Sequence, residues 1–506
     1  MIKKILFFLK SLSSLFKHKE YNLTVQALFI FIGKLIQILF QFLVPIILIR
    51  IFSQSDYGVY QKILFFAGIA TPLFIFHFNE SLYYFFPITK NSTQQNEFIS
   101  QTYFQLLGIC LFSTVIILLL FPYLSVYIND SVLINYIYQI LAIVCLTSSS
   151  SILENIFVLE KKSKLVVVFA SLDKLVRTLL LLSFVMFYQT IEAALFAIII
   201  YCTLRFLFLT FYLIKNFKLS VFLIKISNIK TQWKYVSPMG LGLFVGLLGK
   251  NADKLFLVWF LKDTDFALYS IGNLSVPFIT TVYISIGNVV MPELAKYSKN
   301  NDLKKTISLW SSMIIKNSIL TIPLILFFLI QADEIFIILF TESYVESANV
   351  FRIIVLTLLI QMLGYGYVLR AFGKTKKILI AKVYRTLLSL IFGYIFIKNF
   401  GVIGAALTFL FSFFINAIIQ LRDTKILLNV SLKDYLPWLD FIKLFAISIT
   451  PGFIIMITKN LNWPILYTLL FNSIIYFGIV IIFLYKFNYF KKFGLDKFFN
   501  KNIFSK

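Results

Sequence analysis

Histidine and cysteine are almost absent from this chain, and charge is thin. Its 506 residues include two histidines, His18 and His77, and three cysteines, Cys110, Cys145 and Cys202. Histidine is the side chain that most often moves protons and binds metals. One of the two sits in a basic N-terminal stretch and the other at the end of an apolar run, so neither a metal set nor a histidine-based catalytic centre is expected. The cysteines are widely spaced, each inside an apolar run. They read as small packing residues, not as a disulfide framework. Charged residues make up 14% of the sequence and hydrophobic residues 60%, against about 25% and about 45–50% in soluble domains. That imbalance excludes a water-soluble globule. No soluble-looking block separates the apolar runs, and the longest outer loop, Gln331 to Ser347, leaves little room for catalytic machinery. An enzyme is therefore not expected, and no cofactor or metal is called for.

What the chain has in abundance is apolar sequence in runs of about 20 residues, the length that crosses a bilayer as a helix. About fourteen such runs can be read, so the expected fold is an all-α polytopic membrane protein. Residues 1–21, beginning MIKKILFFLKSLSSLF, lack a small-residue cleavage site and read as an amphipathic segment on the cytoplasmic surface. Residues 22–215 would hold helices 1–6, 216–236 a cytoplasmic loop, 237–425 helices 7–12, 426–486 helices 13–14, and 487–506 a basic tail. The runs at 165–187 and 190–214, and at 377–397 and 401–421, are split only by short turns.

The net charge of +25 would suggest nucleic acid in a soluble protein, but here it sorts by topology. With the N-terminus inside, 31 of the 47 lysines and arginines fall in inner loops and the two ends, counting Lys377 with its loop. The outer loops hold four: Arg50, Lys262, Lys398 and Lys459. This is the positive-inside pattern, and it places both termini in the cytoplasm and sets nucleic acid aside.

The chain also repeats itself. KLVRTLLLLSF at 174–184 matches KVYRTLLSLIF at 382–392 in seven of eleven positions. DYGVY at 56–60 pairs with DFALY at 265–269, and IEAAL at 191–195 with IGAAL at 403–407. The offsets, 208 to 212, make helices 1–6 and 7–12 two copies of one unit. Six is even, so the copies share orientation, and a site is expected between them near the midplane.

Twelve lysines and arginines lie inside the expected spans, with Glu154, Asp173 and Asp253 as the clear acids. A charge at a helix centre costs about 2.5–3.5 kcal/mol on insertion scales, so such residues face a bundle interior or a wet cavity. Lys34, Arg177, Arg205, Lys250, Lys316 and Arg385 fall near their span midpoints, where snorkelling fails. Lys254 shares a helix face with Lys250 and Asp253. These seven cations are the candidate substrate-binding groups. Gln37, Gln41, Asp173 and Asp253 are candidate polar lining. Lys34, Gln37, Gln41 and Pro45 form one stripe on helix 1, suited to a cavity or to helix packing. An ion pair within one helix is open to Asp253 with its lysines, and to Asp173 with Arg177. Lys62, Arg352 and Lys443 are nearer span ends and are expected to snorkel. A net basic interior suits an anion, since lysine and arginine are the groups that hold phosphate and pyrophosphate. Gly240, Gly242, Gly246 and Gly249 permit close packing or bending of helix 7. GLGLFVG there follows no strand, so it is not a dinucleotide fingerprint.

The chain resembles the Wzx-type O-antigen and capsule flippases of the multidrug/oligosaccharidyl-lipid/polysaccharide exporter superfamily. The resemblance is carried by Arg50, by Asp56-Tyr57-Gly58-Val59-Tyr60 and its echo at Asp265 to Tyr269, by Pro292-Glu293-Leu294, and by Gly401 to Ala406. The second copy departs from the first by having Ala267 in place of Gly58. The resemblance implies a MATE-like fold of two pseudo-symmetric six-helix lobes around a basic cavity, with two further C-terminal helices. It implies export of an undecaprenyl-pyrophosphate-linked oligosaccharide across a bacterial inner membrane by alternating access, with membrane lipid, a polysaccharide polymerase and chain-length proteins as possible partners. Two rivals share the superfamily. A multidrug/cation antiporter would be expected to present acidic residues where this chain presents Lys34, and a lipid II flippase would share the headgroup.

Overall fold

A computed structural model describes residue 40 and residues 42–493, apart from 90, 126–130, 161, 275–276, 432–434 and 459–462. The expected N-terminal segment, most of the first span with Lys34, Gln37 and Gln41, and most of the basic tail lie outside the described residues. Among the described residues every regular element is a helix. The first half runs α1 Phe42–Ile51, α2 Gln54–Ile75, α3 Phe78–Ile88, α4 Ser92–Ser125, α5 Ser131–Ser149, α6 Leu153–Leu159, α7 Ser163–Tyr188 and α8 Ile191–Phe217. The second runs α9 Ile226–Lys250, α10 Ala252–Phe260, α11 Asp263–Gly272, α12 Pro277–Lys299, α13 Leu303–Phe340, α14 Ser347–Val355, α15 Thr357–Gln361, α16 Tyr367–Ala371 and α17 Thr375–Leu428. Then follow α18 Trp438–Thr458, α19 Ile465–Lys486 and α20 Tyr489–Phe493.

Eight helical stretches among the described residues are long and apolar enough to cross a membrane, fewer than the runs counted from sequence. The run at 22–49 lies mostly outside the described residues, and others differ where a helix breaks or carries charge. The run at 165–187 falls on α7, which carries Asp173, Lys174 and Arg177. The run at 237–261 is broken at Asn251, where φ is −116°. The run at 348–369 is divided among α14, α15 and α16. Conversely, α17 counts as one helix of 54 residues but contains two runs: Gly401 adopts φ 54° and ψ −130° and reverses the chain. Lys377 reaches Asp423 at 3.5 Å, and the Phe392 and Phe411 rings lie 4.6 Å apart, so the two arms run antiparallel. In the first half, α7 and α8 form the matching hairpin, turning at Gln189 with φ 55°.

The repeated motifs open α2 and α11, and side chains cap both helices, Ser53 in α2 and Asp265 in α11. Ser53 Oγ accepts the Asp56 N–H at 3.1 Å, while Asp265 Oδ2 accepts the Lys262 N–H at 3.1 Å, so first-turn donors are satisfied. The two helices then pack directly on each other. A Cβ at Gly58 would lie 1.9 Å from the backbone oxygen of Asp263, so a side chain there would block the approach.

Residues 226–236, expected in a loop, are instead the first turns of α9, and they dock on the first half. Gln232 is fully buried. It accepts from Gln101 Nε2 at 2.8 Å and Gln105 Nε2 at 2.9 Å, and it donates to Ser81 Oγ at 2.7 Å and Thr102 Oγ1 at 2.9 Å. The far end of α9 packs on α17, where a Cβ at Gly249 would meet Thr386 Oγ1 at 2.1 Å. The C-terminal helices attach to α13: Tyr476 donates to the Pro323 carbonyl at 2.9 Å, and Trp310 stacks on Tyr435 at 4.4 Å.

Candidate functional site

Arg177 and Arg385 occupy equivalent places. They are 208 residues apart, each on the first arm of a helical hairpin. Each lies over an aromatic ring of the second arm: Arg177 is 5.9 Å from the Tyr201 centroid, and Arg385 is 4.6 Å from that of Phe413. The two rings are 212 residues apart, the offset of the IEAAL and IGAAL anchors beside them. A ring face holds a guanidinium without occupying its N–H groups. Neither arginine has a carboxylate partner among the described residues. Arg385 donates one bond, to Ser412 Oγ at 3.2 Å, and both side chains are half-buried.

The repeat is broken one turn further along each second arm. Arg205 donates to Glu154 at 2.6 and 2.8 Å and to Asp173 at 2.9 Å. At the matching offsets the second half has Ala381 and Ala417, both buried. Asp173 therefore pairs with Arg205 across the hairpin and not with Arg177 on its own helix. The Glu154, Asp173 and Arg205 group carries a net negative charge, and Arg205 is committed within it. Lys174 and Arg177 make the surroundings net positive.

In the second half, Lys250 ends α9 and Asp253 and Lys254 begin α10, because the helix breaks at Asn251 between them. Asp253 is buried and accepts from the Tyr269 hydroxyl on α11. It makes no ion pair with Lys250 or Lys254. Lys254 instead points at the first half, 5.8 Å from the Phe65 ring on α2. Arg385 is close enough for its charge to interact with that of Asp253. Lys250, Lys254 and Arg385 against one aspartate leave a positive excess. Lys316 is half-buried on α13, with no hydrogen bond or ion pair linking it to either group.

Helix α2 lies between the two clusters. Its Tyr60 interacts with the charge of Arg177, and its Phe65 meets both Lys254 and Phe266 of α11, the latter at 5.7 Å. Lys62, expected to snorkel, is instead 3% exposed and pairs with Asp263 at 2.6 Å. Arg352 is also engaged, with Asp333 at 2.6 Å. Nearby, Arg50 donates to the Ile338 carbonyl at 3.2 Å, and Tyr57 packs edge-on against Tyr344. Sequence reasoning missed Lys62 with Asp263, and Glu154 as a partner of Arg205. It also missed Tyr201 and Phe413, which the repeat offset could have found. Among the described residues no group of three or more histidine, cysteine or acidic side chains is placed to hold a metal.

Residues 23–298 match the profile of the family described as polysaccharide biosynthesis protein. A curated relative, the probable low-salt glycan biosynthesis flippase Agl15 of Haloferax volcanii, is 22% identical over 202 residues, which is 39% of this chain and 43% of that protein. The match thus spans less than half of the relative's length. Among solved structures, the lipid II flippase MurJ in an inward closed conformation superposes with a TM-score of 0.72 at 16% identity, over 90% of this chain and 98% of MurJ. An inward-facing multidrug resistance MATE family transporter of the MOP superfamily gives 0.60 at 14% identity, over 78% and 94%. At these identities the likeness is one of fold: a multi-pass, all-α architecture like that of those two proteins.

Proposed function

This chain belongs to the polysaccharide biosynthesis protein family, and from that premise we propose that it is a flippase for a lipid-linked oligosaccharide. Family and fold both point to a transporter rather than an enzyme. The cargo we infer is an undecaprenyl-pyrophosphate-linked repeat unit of an O-antigen, capsule or exopolysaccharide, carried across a bacterial inner membrane. The basic loops orient the protein with both termini in the cytoplasm.

The observation that carries this reading is the pair of equivalent arginines, Arg177 and Arg385. Each is held by a ring face and has no carboxylate partner among the described residues. Apart from the Arg385 bond to Ser412, their N–H groups remain available to pyrophosphate oxygens, which guanidinium binds in bidentate fashion. Lys250 and Lys254 add charge beside Arg385, and Lys34 on the first span is the further candidate. Arg205 serves differently: it pairs with both Glu154 and Asp173 and offsets one of their two charges. The headgroup would bind between residues 22–215 and 237–425, taken as two lobes, while the lipid tail stays in the bilayer. Rocking of the lobes about that site would then expose it to the other side.

The test is reversal of charge. With Arg177→Glu and Arg385→Glu together, surface polysaccharide should disappear, and lipid-linked units should accumulate on the cytoplasmic face while the protein remains in the membrane. Lys34→Glu or Lys250→Glu should act the same way. Normal export by the double arginine variant would overturn the proposal. Rescue of a strain lacking its lipid II flippase would reassign the cargo to the peptidoglycan precursor.

A further inference from the structure

The strongest unassigned feature lies away from these arginines, at the Leu303 end of α13. A cleft of about 630 Å³ opens there between α13 and the short terminal helix α20. Lys304 and Lys492 flank it, and Ser308, Ser311 and Ser312 line it between them. We propose that this cleft binds the phosphodiester headgroup of an anionic membrane phospholipid. The site is separate from the cargo and does not depend on its identity.

Three observations support it. The first is position. With 38 residues, α13 is about 57 Å long, whereas the hydrocarbon core is about 30 Å thick. Its first turns therefore project into the headgroup layer, and Lys304 to Ser312 rises about 12 Å through it. The second is charge. Asp440 holds Lys492 at 2.6 Å, and Tyr489 donates to the same carboxylate at 2.8 Å. Lys492 is thereby fixed at the cleft while its charge is offset, and Lys304 has no ion-pair partner among the described residues. One uncompensated positive charge matches the single negative charge of a phosphodiester. A zwitterionic headgroup would bring its own ammonium against these lysines.

The third is hydrogen bonding. Several helical serines in this protein turn their hydroxyls onto the preceding turn, as Ser318 does to Ile314, Ser448 to Leu444 and Ser473 to Leu469, whereas Ser100 and Ser149 do not. Among the described residues the hydroxyls of Ser308, Ser311 and Ser312 have no such partner, so three O–H donors line one cleft. Ammonium groups and hydroxyls together are suited to the non-bridging oxygens of a phosphodiester, and basic pockets between helices at the cytoplasmic surface are where anionic headgroups bind.

The experiment is native mass spectrometry of the full chain in detergent, titrated separately with phosphatidylglycerol, phosphatidylcholine and inorganic phosphate. Phosphatidylglycerol should bind, and phosphatidylcholine should bind at least tenfold more weakly. The Lys304→Gln/Lys492→Gln variant should lose about tenfold in phosphatidylglycerol affinity, and Ser311→Ala/Ser312→Ala should lose severalfold. Lys304→Arg, which keeps the charge, should bind like the parent, and unchanged melting of every variant without lipid serves as the folding control. Equal affinity of parent and double-glutamine variant, or equal binding of the two lipids, would overturn the proposal. Displacement of the lipid by low millimolar inorganic phosphate would assign the cleft to a soluble anion instead.

Discussion

Lys62 of α2 holds Asp263, the first residue of α11, at 2.6 Å, with 4% of the lysine side chain exposed. The pair crosses the contact between the repeated motifs, beside the place where Gly58 meets the backbone of Asp263. One residue of each half thus supplies the charge, and removing either breaks a largely buried ion pair. Breaking a buried pair costs about 3–5 kcal/mol, and the quarter of Asp263 still exposed puts this one near the lower end. Lys62→Met and Asp263→Asn should each lower the melting temperature of purified protein and reduce flipping in reconstituted vesicles. The exchanged pair Lys62→Asp/Asp263→Lys should recover part of both. A double-mutant cycle with no coupling between the two positions would contradict this.

Gly58 sets how closely α2 and α11 approach. Gly58→Ala forces its methyl against a backbone oxygen, which cannot swing aside as a side chain would. Overpacking of this kind costs about 1–3 kcal/mol. We expect a clear loss of thermal stability and transport from this one methyl, and Gly58→Leu should fail to accumulate in membranes. By contrast Gly242→Ala, at a position with nothing within 4 Å, should leave melting unchanged, which makes it the control.

The Arg205 cluster should respond asymmetrically. Arg205→Met leaves Glu154 and Asp173 together without their cation and should destabilise the protein by about 3 kcal/mol. Adding Glu154→Gln and Asp173→Asn to that variant removes the stranded charges and should restore most of the lost stability. Melting curves of the single and triple variants decide it. If the triple variant is no more stable than the single, Arg205 contributes through packing alone.

Gly401 adopts φ 54° and ψ −130°, a region that is costly to any residue with a Cβ. Gly401→Ala should therefore strain the turn of α17 by about 1–3 kcal/mol. Gly404→Ala is expected to be worse still, because its methyl would lie 2.0 Å from the Phe396 carbonyl oxygen. Both variants loosen the hairpin that carries Arg385, so transport should fall with melting temperature. Normal melting with lost transport would instead mean that the turn acts in function directly.

Much of this arrangement was legible in the sequence because membranes impose few solutions. Run length marks helices, and the offsets of 208 to 212 put Arg177 and Arg385 at equivalent positions of the repeat. The rest depended on contacts between distant segments. Lys62 read as a residue near a helix end able to reach water, because its partner lies 201 residues away. Asp173 sat one turn from Arg177, so local spacing suggested the wrong bond. The arginine across the hairpin won because it reaches both acids at once. Helix breaks at Asn251 and within 348–369 leave no mark on composition, which is apolar on both sides of them, whereas the 54-residue α17 shows the opposite case, a turn at Gly401 with helix on both sides.

The polar knot around Gln232 has a consequence for how the molecule is held together. Its amide has every donor and acceptor satisfied by α3 and α4, and a hydrocarbon environment offers no replacement for those bonds. The peptide between α8 and α9 is therefore not the only tether between the halves. Cut in residues 218–225, the chain would still carry on its second fragment a mooring shaped for the first, and two separately made pieces would have a reason to find each other in the bilayer.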